Sequence, residues 1–396
     1  MRFGGIMTRT AVVVAIGTAQ TLAWASSYYL PAVLADSIAS SLGLSNTWVF
    51  GAFSVSLVLM SFLGPAIGRH IDEFGGRKVL VSSAIVLPLG LVLLALAQGP
   101  WSLGFAWVVL GLGMALGLYD TAFAALAAMY GHEARTPITG ITLMAGFAST
   151  IGWPLSAWLD HAIGWRGACL VWAAIHLAIT LPCYLAALPP RISREPGAKA
   201  TDALAKATMP LAAPPRYVMP LMAFAFAIIA FVATAMASHL PRLLQDTGAS
   251  ATAAIAAAAL VGPAQVAARF AEFMTVQRWR PHPVQVARLS AILHPIGAGA
   301  LVFAGGAGIV APVFTLLYGA GNGLLTIARG TLPLALFGPT GYGFRQGTIA
   351  AAARLAQAAA PISFGMLLDA WGATAGLAVT GTLSLAAFVA FVALRK

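Results

Sequence analysis

Long apolar runs separated by short polar breaks fill almost the whole of this 396-residue chain. A helix needs about 20 mainly apolar residues to cross the roughly 30 Å hydrocarbon layer of a membrane. Twelve stretches meet this requirement, and we number them as spans 1 to 12: 9–34, 46–69, 78–97, 101–130, 137–159, 166–188, 216–240, 251–274, 284–304, 308–337, 345–368 and 372–394. The pattern predicts an all-α integral membrane protein with twelve transmembrane helices.

The segment between spans 6 and 7 divides the chain into two parts. Residues 189–216 include the proline pairs Pro189-Pro190 and Pro214-Pro215, with basic residues among alanines between them. This composition suits a linker and not a membrane span. We therefore expect an N-terminal six-helix bundle at 1–188 and a C-terminal six-helix bundle at 217–396.

Short motifs recur in the two halves. Gly64-Pro65-Ala66 in span 2 is repeated as Gly262-Pro263-Ala264 in span 8. A second set keeps a constant offset of 207 residues and consists of Gly131 with Gly338, Gly140 with Gly347, and Pro154 with Pro361. Because the matches fall on corresponding spans, we predict two pseudo-symmetric bundles around a central cavity, with a solute site near the middle of the membrane.

Composition and charge agree with this prediction. Only 8% of the residues are charged, against about one quarter in soluble domains. The net charge of +11 comes from basic residues scattered between the spans, which argues against a nucleic-acid-binding face. Seventeen Lys and Arg residues fall on one side of the predicted membrane and only Arg166 and Arg242 on the other. The positive-inside rule then makes both termini and the linker cytoplasmic.

The loop between spans 2 and 3 carries a recognisable motif. Its residues Gly68, Asp72, Gly75, Arg77 and Lys78 follow the pattern G-x-x-x-D-x-x-G-x-[RK]-[RK]. This pattern, at this place in the chain, resembles the signature of the major facilitator superfamily. The resemblance implies alternating access between two bundles. It also implies a gating latch, in which glycines permit a tight turn and the aspartate and basic residues pair across helix ends in one state.

Few ionisable residues lie within the spans, and each is a functional candidate because a charge is costly inside a membrane. The set consists of Asp120 on span 4, Arg269 on span 8, Arg329 on span 10 and Arg354 on span 11. In the superfamily that the motif resembles, all four spans contribute to the central cavity. His176 and His294 lie on spans 6 and 9, which resemble outer helices. We expect both histidines to be packing residues with satisfied hydrogen bonds.

Three arginines and one acid predict a site for an anion, because the planar guanidinium group matches a carboxylate. The segment from Gln265 to Arg269 resembles span 8 of the monocarboxylate transporter and oxalate/formate antiporter branch. There an arginine binds the substrate carboxylate, and the oxalate exchangers also carry a cation on span 11, here Arg354. That branch has an aspartate where this chain has Gln265, so its proton-coupling step is not implied here.

Each of these residues also has another possible role. Arg269 could pair with Glu272 one turn away and reach towards the cytoplasmic surface. Arg354 has no acid within a turn, which leaves Gln357, water or a ligand as its partner.

The ionisable residues on spans 4 and 10 also have two possible roles each. Arg329 lies near the end of its span, where bonding to backbone carbonyls competes with ligand contact. Asp120 could carry a coupled proton or act only as a counter-ion. Tyr28 and Asn322 are further candidates for solute contact, since a small solute needs only a few polar groups to fix its orientation.

The predicted function is secondary active transport of a carboxylate or similar small anion across the bacterial inner membrane, by proton symport or by exchange. The alternative is an efflux antiporter for a drug or arsenical, since the segment 130–154 also resembles arsenical-efflux facilitators. Cys169 and Cys183 are too far apart in sequence to form a paired-thiol site. No phosphate-binding loop or metal-ligand spacing occurs in the sequence, so we expect no cofactor, metal or enzymatic activity. The expected partners are a solute, protons and lipid, with the protein monomeric.

Overall fold

The computed structural model describes residues 7–190, 214–279 and 281–394. Most of the linker and both chain ends, on which the predicted cytoplasmic placement of the termini depends, lie outside the described residues. The described α-helices are α1 Arg9–Ser26, α2 Pro31–Leu42, α3 Asn46–Phe74, α4 Arg77–Ala95, α5 Pro100–Gly117, α6 Tyr119–Tyr130, α7 Arg135–Ala145, α8 Ala148–Ile175, α9 Leu181–Ala187, α10 Val218–Asp246, α11 Ala251–Ala259, α12 Val261–Trp279, α13 Pro283–Ala304, α14 Val310–Phe337 and α15 Tyr342–Ala393.

The prediction of twelve transmembrane helices in two bundles is confirmed. Within the described residues, eight helical stretches are long and apolar enough to cross a membrane. The eight stretches hold spans 2 to 12, since Pro100–Ala187 contains spans 4 to 6 and Tyr342–Ala393 contains spans 11 and 12. Span 1 corresponds to α1 and the start of α2 and is not one of the eight. The boundaries of the bundles and linker remain a prediction, with α9 ending at Ala187 and α10 beginning at Val218.

The breaks between joined spans occur where the backbone leaves the helical conformation. Gly164 inside α8 and Gly372 inside α15 both have φ of +75°, a value that glycine adopts without the strain of a side chain. Leu118 is extended and separates α5 from α6. This break places Asp120 in the first turn of α6, where the partial positive charge of a helix N-terminus favours an acid.

Apolar side chains cover both the interior and the outer surface. Trp107 and Trp172 are fully buried in the N-terminal bundle, and Phe314 in the C-terminal one. In contrast, Trp101 and Phe303 are more than nine-tenths exposed. Large apolar groups on the outside are what a helix bundle needs when lipid, and not water, surrounds it.

The two bundles come into backbone contact where α3 meets the first part of α15. A Cβ atom built on Gly68 would lie 2.0 Å from the carbonyl oxygen of Gly343, and one on Gly347 would lie 2.3 Å from that of Gly64. Each helix thus contributes two glycines four residues apart, the spacing that allows close helix packing in membranes. We call this the glycine contact. A side chain in place of Gly68 or Gly347 would force the two helices apart.

Candidate functional site

Asp120 is the centre of an ion-pair cluster that joins the two bundles. Nη2 of Arg329 on α14 lies 2.8 Å from both carboxylate oxygens. Nη2 of Arg354 on α15 lies 3.4 Å from Oδ2, and the amide of Gln346 donates to Oδ1 at 3.0 Å. We call Asp120, Arg329 and Arg354 the charge cluster. It brings together three of the four ionisable residues that the sequence selected.

The charge cluster contains one negative and two positive groups. Its Arg354 is only 1% exposed, and the Nε atoms of both arginines have no hydrogen-bond partner among the described residues. Nη1 of Arg354 donates to Oε1 of Gln357 at 3.0 Å, and Gln357 reaches the hydroxyl of Tyr28 at 3.5 Å. The site therefore holds an excess of positive charge together with unused donors.

Arg269 is a second buried cation, 5% exposed, and its hydrogen-bond partners are neutral. It donates to the carbonyl oxygens of Gly323 at 3.4 Å and Thr142 at 3.2 Å. It also donates to Oε1 of Gln265 at 3.4 Å and to Oγ1 of Thr326 at 3.1 Å. Because Thr142 belongs to α7, Arg269 also bridges the two bundles.

The predicted alternative of an Arg269–Glu272 pair is wrong. Oε1 of Glu272 instead lies 3.5 Å from Nη2 of Arg135, which belongs to the other bundle. Arg269 instead donates to Thr142 on α7 and to Gly323 and Thr326 on α14, so its charge is not neutralised by this acid. Arg135 was not singled out in the sequence, because its position at the end of a span suited a topological role.

Aromatic rings line the side of the charge cluster formed by α1. The centroid of Trp24 lies 5.0 Å from that of Tyr28 and 4.8 Å from that of Tyr119. The guanidinium carbon of Arg354 lies 5.9 Å from the Trp24 ring, within the range of a cation–π contact. Tyr28 lies in the turn after α1 and is connected to the cluster through Gln357.

The latch residues bind backbone groups and not each other. Asp72 accepts hydrogen bonds from the backbone N–H groups of Gly343 and Phe344, both at 2.8 Å, and so caps the N-terminus of α15. Arg77 donates to the carbonyl oxygen of Leu185 at 2.9 Å. The expected pairing of Asp72 with the basic residues is therefore replaced, in this conformation, by capping across the bundle interface.

The other motif positions support this arrangement. Gly75 ends α3 with φ of +82°, which explains the glycine at the tight turn. Gly68 belongs to the glycine contact one turn before Asp72. Lys78 is exposed at the start of α4.

Asn322 and His294 lie away from the charge cluster. Both line a cavity inside the C-terminal bundle. His176 lies 2.7 Å from the Ser26 hydroxyl through Nε2, but neither ring nitrogen of His294 has a hydrogen-bond partner among the described residues. The expected hydrogen bonds are therefore not found at His294 among the described residues, although its ring packs against those of Phe314 and Tyr318.

Gln346 was missed by the sequence reading although it binds Asp120. A signal for it exists, because Gln346 and Arg354 are eight residues apart, which places them on the same side of a helix. A single amide side chain on an apolar span is a functional candidate for the same reason as an ionisable one, since both are costly to bury without a partner. Its partner on α6 could not have been inferred from this spacing.

A family model described as Major Facilitator Superfamily matches residues 16–316, well over half of the chain. The chain belongs to the Major Facilitator Superfamily. Members of this superfamily are transporters that move small solutes, some of them with protons, across membranes. The chain is accordingly a multi-pass membrane protein of the superfamily.

Solved superfamily structures share its fold. The human organic anion transporter MFSD10 (TETRAN) has 18% identity and a TM-score of 0.75, over 97% of this chain and 100% of that chain. The proton:xylose symporter XylE has 13% identity and a TM-score of 0.75, over 98% and 96%. The E. coli fucose:proton symporter FucP has 15% identity and a TM-score of 0.71, over 98% and 100%. At such identities the likeness establishes the fold alone.

Two relatives match part of the sequence. One is the multidrug resistance protein MdtH of Proteus mirabilis, 30% identical over 150 residues, which cover 36% of this chain and 37% of that protein. The other is an uncharacterised 38 kDa protein of Thermoproteus tenax, 28% identical over 159 residues, which cover 40% and 42%. The chain matches about two fifths of the length of each relative.

Proposed function

We propose that this superfamily member carries a small organic anion, a carboxylate or a similar oxyanion, by alternating access at the interface of its two bundles. The observation that carries the proposal is the charge cluster, in which Arg329 and Arg354 share the single acid Asp120. Arg269 adds a further buried cation with neutral partners. An anion is the ligand that such a site lacks.

Energetics favour this reading over a purely structural role. Leaving a buried charge without a partner costs several kcal/mol, on the order of 3–5 kcal/mol when one member of a buried pair is removed. A bound carboxylate offsets part of that cost and accepts charge-assisted hydrogen bonds from guanidinium groups. Arg354 and Arg269 are proposed as the main substrate contacts, with Gln265 and Tyr28 as further polar contacts.

Asp120 fits the role of counter-ion better than that of proton carrier. Its carboxylate accepts hydrogen bonds from Arg329, Arg354 and Gln346, so it already serves as the shared partner of two cations. If Asp120 took part in carrying a proton, the two arginines would lose their only acidic partner in the cluster during part of the cycle. We therefore assign Asp120 to holding the empty site together until an anion enters.

The latch is proposed to close one face of the carrier. Asp72 caps α15, and Arg135 pairs with Glu272 between the bundles on the same side. Opening that side would break both contacts. The distribution of basic residues supports placing this side in the cytoplasm of a bacterial inner membrane, with the protein acting as a monomer and not as an enzyme.

Efflux of a toxic solute by proton antiport is the second candidate. The partial match to MdtH favours it, since that relative is described as a multidrug resistance protein. The organic anion transporter MFSD10 has a description closer to the first proposal. A drug that is itself an organic anion would satisfy both readings, whereas neutral arsenite would give the buried arginines no partner.

Counterflow in proteoliposomes tests the proposal. Proteoliposomes that contain the purified protein and are preloaded with unlabelled lactate or oxalate should take up the labelled anion. The substitutions Arg354→Gln and Arg269→Gln should abolish this uptake. Arg288→Gln is the matched control, because Arg288 binds the carbonyl oxygens of Phe391 and Val392 away from the charge cluster. Uptake of arsenite or a cationic drug that survives both substitutions would replace the anion proposal by the efflux reading.

A further inference from the structure

A second cavity lies entirely inside the C-terminal bundle, apart from the charge cluster. It has room for little more than water, and α10, α13, α14 and the last part of α15 surround it. The polar side chains that line it are those of Ser290, His294, Tyr318, Asn322 and Ser384. Polar lining in the middle of an apolar bundle indicates a ligand that forms hydrogen bonds.

Two of these side chains have unused hydrogen-bonding groups. His294 is 5% exposed, and neither its Nδ1 nor its Nε2 has a partner among the described residues. The hydroxyl of Ser384, on another helix of the same wall, is likewise without a partner. Buried polar groups are nearly always hydrogen-bonded, so water is the simplest occupant that completes this site.

The buried histidine of the N-terminal bundle has a side-chain partner. There the amide of Gln20 donates to the carbonyl oxygen of Gly117 at 2.5 Å and to the hydroxyl of Tyr184 at 3.0 Å. His176 lies 2.7 Å from the hydroxyl of Ser26. Side chains thus bind one another directly in that bundle. In the C-terminal bundle His294 faces a cavity instead.

We propose that the cavity around His294 is a hydrated proton-binding site, in which an unshared electron pair on the imidazole accepts a proton from water. Its use as the coupling site of transport rests on the proposed function, whereas proton binding itself does not. Among the lining residues, Tyr318 is the other titratable group, and none carries a fixed charge. An imidazolium here would depend on water for its stabilisation.

Hydration would link the proton to the position of the helices. The hydroxyl of Tyr318 on α14 donates to the carbonyl oxygen of Ala233 on α10 at 3.0 Å, so these two helices are held together at the wall of the cavity. Protonation of His294 favours a wetted cavity, and movement of α14 against α10 controls its access to water. A proton could therefore bind in one conformation and leave in another.

Three other titratable side chains within the described spans already have polar or charged partners. Asp120 holds two arginines, and Glu272 lies against Arg135. His239 is 2.9 Å from the carbonyl oxygen of Pro361. His294 is thus a buried titratable side chain whose surroundings leave room for a proton and its water.

A substrate-independent experiment tests proton binding. The protein is labelled with ¹³C-histidine, and ring signals are followed by NMR in detergent, with His294→Gln and His176→Gln used to assign the two buried rings. The His294 signal should change as the pH is lowered and its ring gains a proton from the water of the cavity, while the His176 signal, whose Nε2 is 2.7 Å from the Ser26 hydroxyl, should stay constant. A His294 signal that does not change over the pH range in which the protein stays folded would overturn the proposal.

A second experiment tests coupling in proteoliposomes with labelled oxalate and labelled lactate, together with an internal pH dye. His294→Gln should abolish anion-driven proton movement and leave anion counterflow intact, and His176→Gln should preserve both. Ser384→Val fills the cavity without touching the imidazole and should likewise abolish proton movement. Proton movement that persists in both cavity variants would refute the coupling role. Absence of counterflow in the wild type would count against the anion proposal, and the NMR result would still decide proton binding.

Discussion

At the scale of single residues, the proposed function depends on an excess of buried positive charge. Asp120 carries one negative charge and lies beside two arginines. The side chains of Asp120, Arg329 and Arg354 are 16%, 14% and 2% exposed, respectively. The consequence differs for the acid and for the bases. Removing the acid should harm the folded state, while removing a base should harm binding.

Asp120→Asn should lower the free energy of unfolding by about 3 kcal/mol, because it leaves two buried cations without an acid. Thermal unfolding in detergent measures the loss, and oxalate should restore part of it. Asp369→Asn is the control, since Asp369 is 68% exposed and pairs with an exposed Arg242, a kind of contact that contributes little. Equal stability of the two variants would contradict the counter-ion role.

Arg354→Gln should weaken anion binding roughly ten- to a hundred-fold, because it removes a charge-assisted contact worth about 1.5–3 kcal/mol. Arg354→Lys should recover only part of the affinity, since lysine keeps the charge but loses the planar fork. Calorimetry with oxalate and lactate gives the comparison. The hypothesis fails if both variants bind like the wild type.

At the scale of helices, the proposed latch depends on the capping of a helix end. Asp72 on α3 accepts two backbone hydrogen bonds from the first turn of α15, so its negative charge meets the partial positive charge of that N-terminus. These contacts form only while the two helices are together. They stabilise one conformation and do not touch the charge cluster.

Asp72→Asn should therefore slow anion exchange while leaving anion affinity close to that of the wild type. The asparagine keeps one acceptor oxygen but loses the charge, and a weakened cap costs about 1 kcal/mol. Exchange rates in proteoliposomes and calorimetric affinities are compared with those of Glu73→Gln, which changes an exposed neighbouring acid. Normal exchange combined with weak binding would argue against a gating role.

The helices were largely predictable, and the partners of their charged side chains were not. Runs of apolar residues located the spans because membrane crossing imposes a length. The interruption at Leu118 has no comparable signal, since leucine is common inside helices. Asp120 and Arg329 could be assigned to cavity helices, but their pairing joins residues 209 positions apart and depends on how the bundles dock.

The C-terminal cavity shows the same limit. His294 was expected to pack like His176, because both are single histidines on apolar spans. Their sequence surroundings give no reason to distinguish them. The difference arises from the volume left between four helices, which is a property of packing.

At the scale of the whole molecule, orientation in the membrane follows from the basic residues. A reporter inserted at positions 195–210 should be cytoplasmic, as should one fused to the C-terminus. A reporter inserted at Gly248, between α10 and α11, should lie on the opposite side. Paired fusions to a periplasm-active phosphatase and to a fluorescent protein measure this. Phosphatase activity from the 195–210 insertion would overturn the assignment.

The glycine contact between α3 and α15 also bears on how fast the bundles can separate. Where Gly68 meets Gly343, hydrogen atoms take the place of side chains. Such a surface has no rotamers to rearrange and no interlocked groups to withdraw, and closing it immobilises no side chain. The activation free energy for separating the two bundles at this contact, and for rejoining them, should therefore be low. A contact made of backbone alone can open and close repeatedly without any side chain having to repack.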